Sequence, residues 1–291
     1  MESLPFTFGQ VQDMEFSPNG QLLAITCFDT NTLWSTTIIY TMPKYYTFRC
    51  RHPGRKAMSR QVAWSSGNDR LLVCLDDGID IINANGILLS VIKRPRRVES
   101  AVWYTPSEVL SVEGNTVFRV SMEGNVKAKY RFPHLLLRDI AVVPMRDLFL
   151  VIGRVTVSSD GMPPKKERAE KQIIVYNLAT GEIKSRNPVV DDVRYITLSN
   201  HYSEARKGFG VLLGHKDKLP PRLWTLDIDS DNPLFKWAPF QLQSPSYLAG
   251  RGYFAGDQDR MIVCAGVDGD IHIWDLAGLA LWHGVHGHWI P

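Results

Sequence analysis

The chain has 291 residues, 44% of them hydrophobic and 22% charged. That is enough apolar material for a substantial core and too much for a disordered tail. Lys plus Arg number 33 against 30 Asp plus Glu, a formal net charge of +3, so the chain lacks the broad positive field that gathers nucleic acid or acidic lipid. Apolar runs such as Leu135, Leu136 and Leu137 break within a few positions, far short of the ~18 residues a spanning helix needs. Charge therefore gives no support to a nucleic-acid partner, and no membrane partner is expected. The start Met1, Glu2, Ser3, Leu4, Pro5 has neither a basic nor an apolar signal-like stretch, and no Asn-x-Ser/Thr acceptor occurs, so secretion is not expected. Cys27, Cys50, Cys74 and Cys264 show no Cys-x-x-Cys spacing; they read as reduced residues of a cytoplasmic or nuclear protein.

Apolar residues at helical spacing are missing, while short β-branched and aromatic runs recur between turn signals, which is an all-β rhythm. A first strand ending at Phe16 is followed by the turn Ser17, Pro18, Asn19, Gly20. Tyr45 to Arg51 interleaves aromatics with Arg, and an outer strand fits it better than a nucleic-acid platform. Val62, Ala63 and Trp64 open a second unit whose turn is Asp76, Asp77, Gly78. Four cations, Lys93, Arg94, Arg96 and Arg97, then fall between units, and Ala101, Val102 and Trp103 open a third. Residues 158–171 are polar enough to be a solvated loop insertion. Ile173 to Tyr176 and Arg222 to Leu226 look like third strands of later units. Near the end, 261–266 and 271–275 form two strands joined by an Asp-Gly turn containing Asp268 and Gly269. In the second of these, Ile271 and Ile273 point to one face and His272 and Trp274 to the other.

This last module, ending in Trp274 and Asp275 with Gly287 and His288 following, resembles a WD repeat. Taking Phe16, Trp64, Trp103, Val142, Thr197 and Phe254 as first-strand centres gives spacings of 48, 39, 39, 55 and 57, around the ~40 to 45 residues of such a unit. The resemblance implies an all-β propeller of about six blades forming a single domain over 1–291. The chain stops where a further unit would begin, so it reads as a fragment or as a product lacking the last blade of a seven-bladed parent; irregular closure of six is the alternative.

WD units are often rigidified by a hydrogen-bonded set of a strand Trp, a Ser or Thr, a turn Asp and the Gly-His histidine. Asp268, Gly269, Trp274, Asp275, Gly287 and His288 match parts of that set as structural residues. Asp77 and Gly78 make a similar turn, but Ile82 stands where the Trp would be. Within the class, the order of features from residue 60 onward is similar to the propeller subunit of the GID/CTLH ubiquitin ligase. Those features are Val62 to Trp64, the Asn83 to Gly86 turn, Val98 to Trp103, Leu110 to Val112, Phe118 to Val120 and Ile196 to Ser199. They continue through Leu223 to Leu226, Gly252 to Gly256 and Ile271 to Trp274. That resemblance implies a non-catalytic scaffold or substrate receptor whose partners are ligase subunits or substrates. The LisH and CTLH helical segments of that family are absent from this sequence, which puts tethering to the ligase in doubt. An adaptor in RNA processing or trafficking, and a propeller enzyme, are the alternatives.

No catalytic, cofactor or metal site is expected. His283, His286 and His288 are close in sequence, but no Cys joins them. Gly250, Gly252 and Gly256 lack the following helix that a dinucleotide loop requires. Asp76 with Asp77 and Asp191 with Asp192 sit in turns without a nucleophile, base and oxyanion arrangement. Lys93, Arg94, Arg96 and Arg97 have two readings, a loop that meets an acidic peptide, a phosphate or an import receptor, and a merely solvated loop.

Overall fold

Six runs of four short strands, each strand separated from the next by a turn, make six antiparallel sheets in the computed structural model, which describes residues 10–41, 47–157, 171–189, 192–215, 221–230, 233–239, 248–266, 271–276 and 280–285. The first sheet comprises β1 (Gln10–Phe16), β2 (Leu22–Asp29), β3 (Trp34–Thr41) and β4 (Thr47–His52). The second holds β5 (Ser59–Trp64), β6 (Arg70–Leu75), β7 (Gly78–Asn83) and β8 (Leu88–Lys93). The third holds β9 (Ser100–Thr105), β10 (Glu108–Glu113), β11 (Thr116–Ser121) and β12 (Val126–Arg131). The fourth follows with β13 (Leu135–Val142), β14 (Leu148–Val155), β15 (Lys171–Asn177) and β16 (Glu182–Val189). The fifth has β17 (Val193–Ser203), β18 (Gly208–His215), β19 (Arg222–Leu226) and β20 (Leu234–Pro239). The sixth has β21 (Leu248–Ala255), β22 (Met261–Gly266), β23 (Ile271–Asp275) and β24 (Ala280–Val285).

Each sheet is a meander of consecutive strands, as short hairpin connections dictate. All six residues chosen as first-strand centres lie in β1, β5, β9, β13, β17 and β21. Of the aromatic and Arg run, residues 47–51 fall on β4, an edge strand of its sheet, while Tyr45 and Tyr46 lie outside the described residues; Ile173 and Trp224 fall on third strands. Lys171, assigned to the solvated insertion, is instead the buried first residue of β15. Its ammonium reaches the Val193 carbonyl at 3.0 Å and pairs with Asp192; residues 158–170 lie outside the described residues. Among the described residues no helix is long and apolar enough to cross a membrane.

By its contacts the chain divides into two compact units, Met1–Pro133 and His134–Pro291. In the first unit, β6 shows why the middle strands are almost continuously apolar. Leu71, Val73 and Leu75 join a core with Leu22, Ala24 and Ile39 of the first sheet. The intervening Leu72 and Cys74 join one with Ala101, Val109 and Val120 of the third. A strand buried on both faces alternates its neighbours rather than its polarity. In the second unit β18 does the same, with Val211 and Leu213 in the core shared with the fourth sheet. Leu212 packs with Ile262, Cys264 and Trp274 of the sixth. Trp274 is fully buried and stacks on His272, centroids 5.7 Å apart, so the His272 and Trp274 face of β23 is the one turned inward.

First strands neighbour one another in space, β1 with β5, β5 with β9, β13 with β17 and β17 with β21, and polar side chains tie them. Asp13 accepts the Val62 amide at 3.1 Å, Gln61 accepts the Ala101 amide at 3.3 Å, and Asp139 accepts the Ile196 amide at 2.8 Å. Each acceptor follows a register shift in its strand; a β-bulge of this kind re-aims side chains. The indoles of Trp64 and Trp103 donate to the carbonyls of Glu15 and Ala63, at 3.1 and 2.9 Å.

Candidate functional site

The third sheet carries a built pocket of about 550 Å³ at one end. Strand register assembles it. Ser111 pairs with Phe118 and Glu113 with Thr116 between β10 and β11, while Phe118 pairs with Lys129 and Thr116 with Arg131 between β11 and β12. Directly opposed residues, and those two apart, share a face. Ser111, Glu113, Thr116, Phe118, Lys129 and Arg131 therefore stand together. They continue the face whose Val109 and Val120 pack against Ile81, Ile92 and Val98. Beyond that apolar contact the connection after β8 crosses over, bringing Arg94, Pro95 and Arg96 to the pocket wall.

Arg94 organises the wall. Its Nε and Nη2 donate to the two oxygens of Glu113 at 2.5 and 3.4 Å, and the Ser111 hydroxyl donates to the same carboxylate at 2.7 Å. The Glu113 side chain is fully buried and that of Arg94 only 7% exposed, so neither charge is tolerable there without the other. The Arg94 guanidinium also lies 4.6 Å from the centre of the Phe118 ring, and the Lys129 ammonium 5.9 Å from it, both within cation–π reach. The reading of this segment as a merely solvated loop fails at Arg94, because the buried carboxylate of Glu113 draws it inward.

The remaining loop cations separate by role. Arg96 is exposed and lines the pocket, with its Nη1 3.9 Å from where a Cβ on Gly114 would lie. Arg97 turns to Asp76 and Glu99, at 3.5 and 3.6 Å. Lys93 is exposed and outside the pocket lining. Four lining cations, Arg94, Arg96, Lys129 and Arg131, face the single carboxylate of Glu113, an excess of three positive charges in a protein whose whole formal charge is +3.

The set couples a connection residue, Arg94, to Ser111 and Glu113 of β10 and to Phe118 of β11. The second sheet varies the theme. Asp77 pairs with Arg55, from the connection before β5, and Arg55 also donates to the buried Asp80 at 3.1 and 3.3 Å. The His52 ring lies 3.9 Å from Asp80. Gly78 is required by close approach, since a Cβ there would sit 2.3 Å from the Ile92 carbonyl oxygen. In the sixth sheet Trp274 is buried, and half-buried Asp275 pairs in register with Met261. Asp268, Gly269, Gly287 and His288 lie outside the described residues, as do His286 and Asp191. Among the described residues no cluster of three or more His, Cys, Asp or Glu is placed to hold a metal.

Glu113, Phe118, Lys129 and Arg131 were not singled out as site residues from sequence. The available signal was an Arg in one connection, Arg94, and an acid at the end of β10, Glu113, 19 residues later. Two of the four cysteines are poor nucleophiles by burial. Burial pushes the Cys27 thiol up to about 11 and the Cys264 thiol up to about 12, which leaves essentially no thiolate at neutral pH.

No family model and no curated protein sequence matches the chain. Among solved structures, the β-propeller domain of Cps50 (Swd1) from Myceliophteria thermophila is similar with a TM-score of 0.73, covering 97% of this chain and 88% of that one at 13% identity. The fold is a six-bladed β-propeller. Each four-stranded sheet is a blade, and the pocket belongs to the third blade. At that identity the likeness concerns the fold and not the function.

Proposed function

We propose that this propeller is a non-catalytic protein-interaction scaffold or substrate receptor, acting as one domain in the cytoplasm, the nucleus or both. The observation that carries the reading is the architecture: six blades, each cored against its neighbours within a unit, that present loops and a charged open pocket. Propellers bind through such loop faces. The raised thiols and the pairing of Asp76, Asp77, Asp80, Glu113 and Asp139 with arginines also favour structural over catalytic roles for these groups.

The finer reading, drawn from the order of sequence features, is a subunit of a GID/CTLH-type ubiquitin ligase, with ubiquitin transfer carried out by other subunits. Affinity purification of the endogenously tagged protein with mass spectrometry tests both levels. RING and CTLH-domain proteins in stoichiometric amounts support the ligase assignment. A different stable set of partners keeps the scaffold and rejects the ligase, and the absence of any stable partner rejects the scaffold.

A further inference from the structure

We propose that the third-blade pocket is a docking site for an acidic peptide segment carrying an apolar side chain, its acidic groups on Arg96 and Arg131 and its apolar group against Phe118 and Val126. The inference rests on the scaffold reading and deepens it by naming the place and the chemistry of a partner.

Charge is the first argument. Arg94 is consumed by Glu113, and Lys129 lies over the Phe118 ring. Arg96 and Arg131 have no carboxylate partner among the described residues, yet the fold holds both at the wall of one cavity. Cations gathered in this way repel one another, and a ligand carrying negative charge relieves that repulsion. Shape is the second argument. About 550 Å³ is far more than one inorganic anion needs and matches the usual range of sites for larger organic ligands. Arg96, Lys129, Arg131 and Val126 are all exposed along it, so an extended chain can lie across the opening without being enclosed.

Polarity is the third argument. Half-buried Phe118 and Val126, which is 40% exposed, supply an apolar floor beside the cations, and a bare anion would leave that surface wet.

The test is fluorescence anisotropy of a fluorescein-labelled peptide, glutamates flanking a central leucine, titrated with the full chain. Saturable binding is expected, weakening as salt is raised. It should fall about tenfold or more in Arg96→Glu/Arg131→Glu and stay unchanged in Lys56→Glu, an exposed site in the connection before β5. Thermal melts accompany each variant. If the double reversal melts early, Arg96→Gln and Arg131→Gln take its place, with the same direction of effect. Replacing the central leucine by serine should weaken binding as well.

Absence of saturable binding, equal binding by wild type and the pocket variants, or indifference to the leucine overturns the proposal. So does full displacement by inorganic phosphate, or tighter binding of a single-stranded oligonucleotide. Purification of the tagged double variant separates this inference from the one beneath it. If its partners are unchanged and the wild-type chain does not bind the peptide, the pocket assignment falls and the scaffold stands.

Discussion

Replacing Asp139 by alanine should destabilise the second unit severely, because this one carboxylate ties three first strands together. It sits on β13 with its side chain 2% exposed, accepts the Ile196 amide of β17 at 2.8 Å, and receives Arg251 Nη2 of β21 at 2.9 Å. Arg251 Nη1 in turn donates to the Ile196 carbonyl at 2.8 Å, so both polar groups of Ile196 belong to the network. In Asp139→Ala the guanidinium, with a side chain only 12% exposed, loses this counter-charge. Removing one partner of a buried pair costs about 3–5 kcal/mol, and the amide left without this acceptor adds about 1 kcal/mol. Urea unfolding followed by tryptophan fluorescence reads the loss; at a slope on the order of 3 kcal/mol/M the midpoint falls by more than roughly 1 M. Arg251→Met should cost less, since Asp139 keeps two amide donors, Ile140 and Ile196. The double variant should be milder than the sum of the singles by about 2 kcal/mol. Additive effects, or a midpoint unmoved by Asp139→Ala, would refute the reasoning.

Glu113→Gln should lower stability by about 3 kcal/mol in the same urea assay, because it removes the carboxylate charge from a site that keeps Arg94 buried; an unchanged midpoint would contradict that account. Gly78→Ala forces a Cβ to within 2.3 Å of the Ile92 carbonyl oxygen and should cost about 1–3 kcal/mol through strand displacement. Gly20→Ala, with φ of 69° and open space around it, should cost only the left-handed backbone penalty, about 1–2 kcal/mol, with no displacement of a neighbour added. Equal losses at the two sites would argue against the close approach.

Iodoacetamide should modify half-buried Cys50 first in the folded protein, while Cys27, Cys74 and Cys264, all buried, react only on unfolding, as peptide mapping would show. The thiols also set a sign for pH dependence. Cys264 holds its proton up to about 12 when folded against 9.0 for the ordinary thiol, so the unfolded chain loses protons first. Stability should therefore fall as pH rises from about 9 toward about 12, and a urea midpoint that rises over that range would reverse the assignment.

Blade positions were legible because they are written locally. Strand alternation, the Ser17 to Gly20 turn and the recurrence of an aromatic or β-branched residue at Phe16, Trp64, Trp103, Val142, Thr197 and Phe254 each depend on a few neighbouring residues, and every one of these centres lies on a first strand. The cationic segment at Lys93 to Arg97 was visible in the same way, as four charges close together. Its division of labour was not, because Arg94 is claimed by a glutamate 19 residues later while Arg97 is claimed by Asp76 and Glu99.

The sequence by itself thus determined an all-β chain of about six repeated units, with turn chemistry and apolar alternation sufficient to locate their first strands. Only the tertiary structure decided which charges meet. The Asp139 to Arg251 pair spans 112 residues, and the pocket exists because the registers of β10, β11 and β12 set Glu113, Phe118, Lys129 and Arg131 on one face, beneath a connection coming from another blade. Neither arrangement follows from local propensity, since a slip of one residue in strand register would turn every one of those side chains to the opposite face.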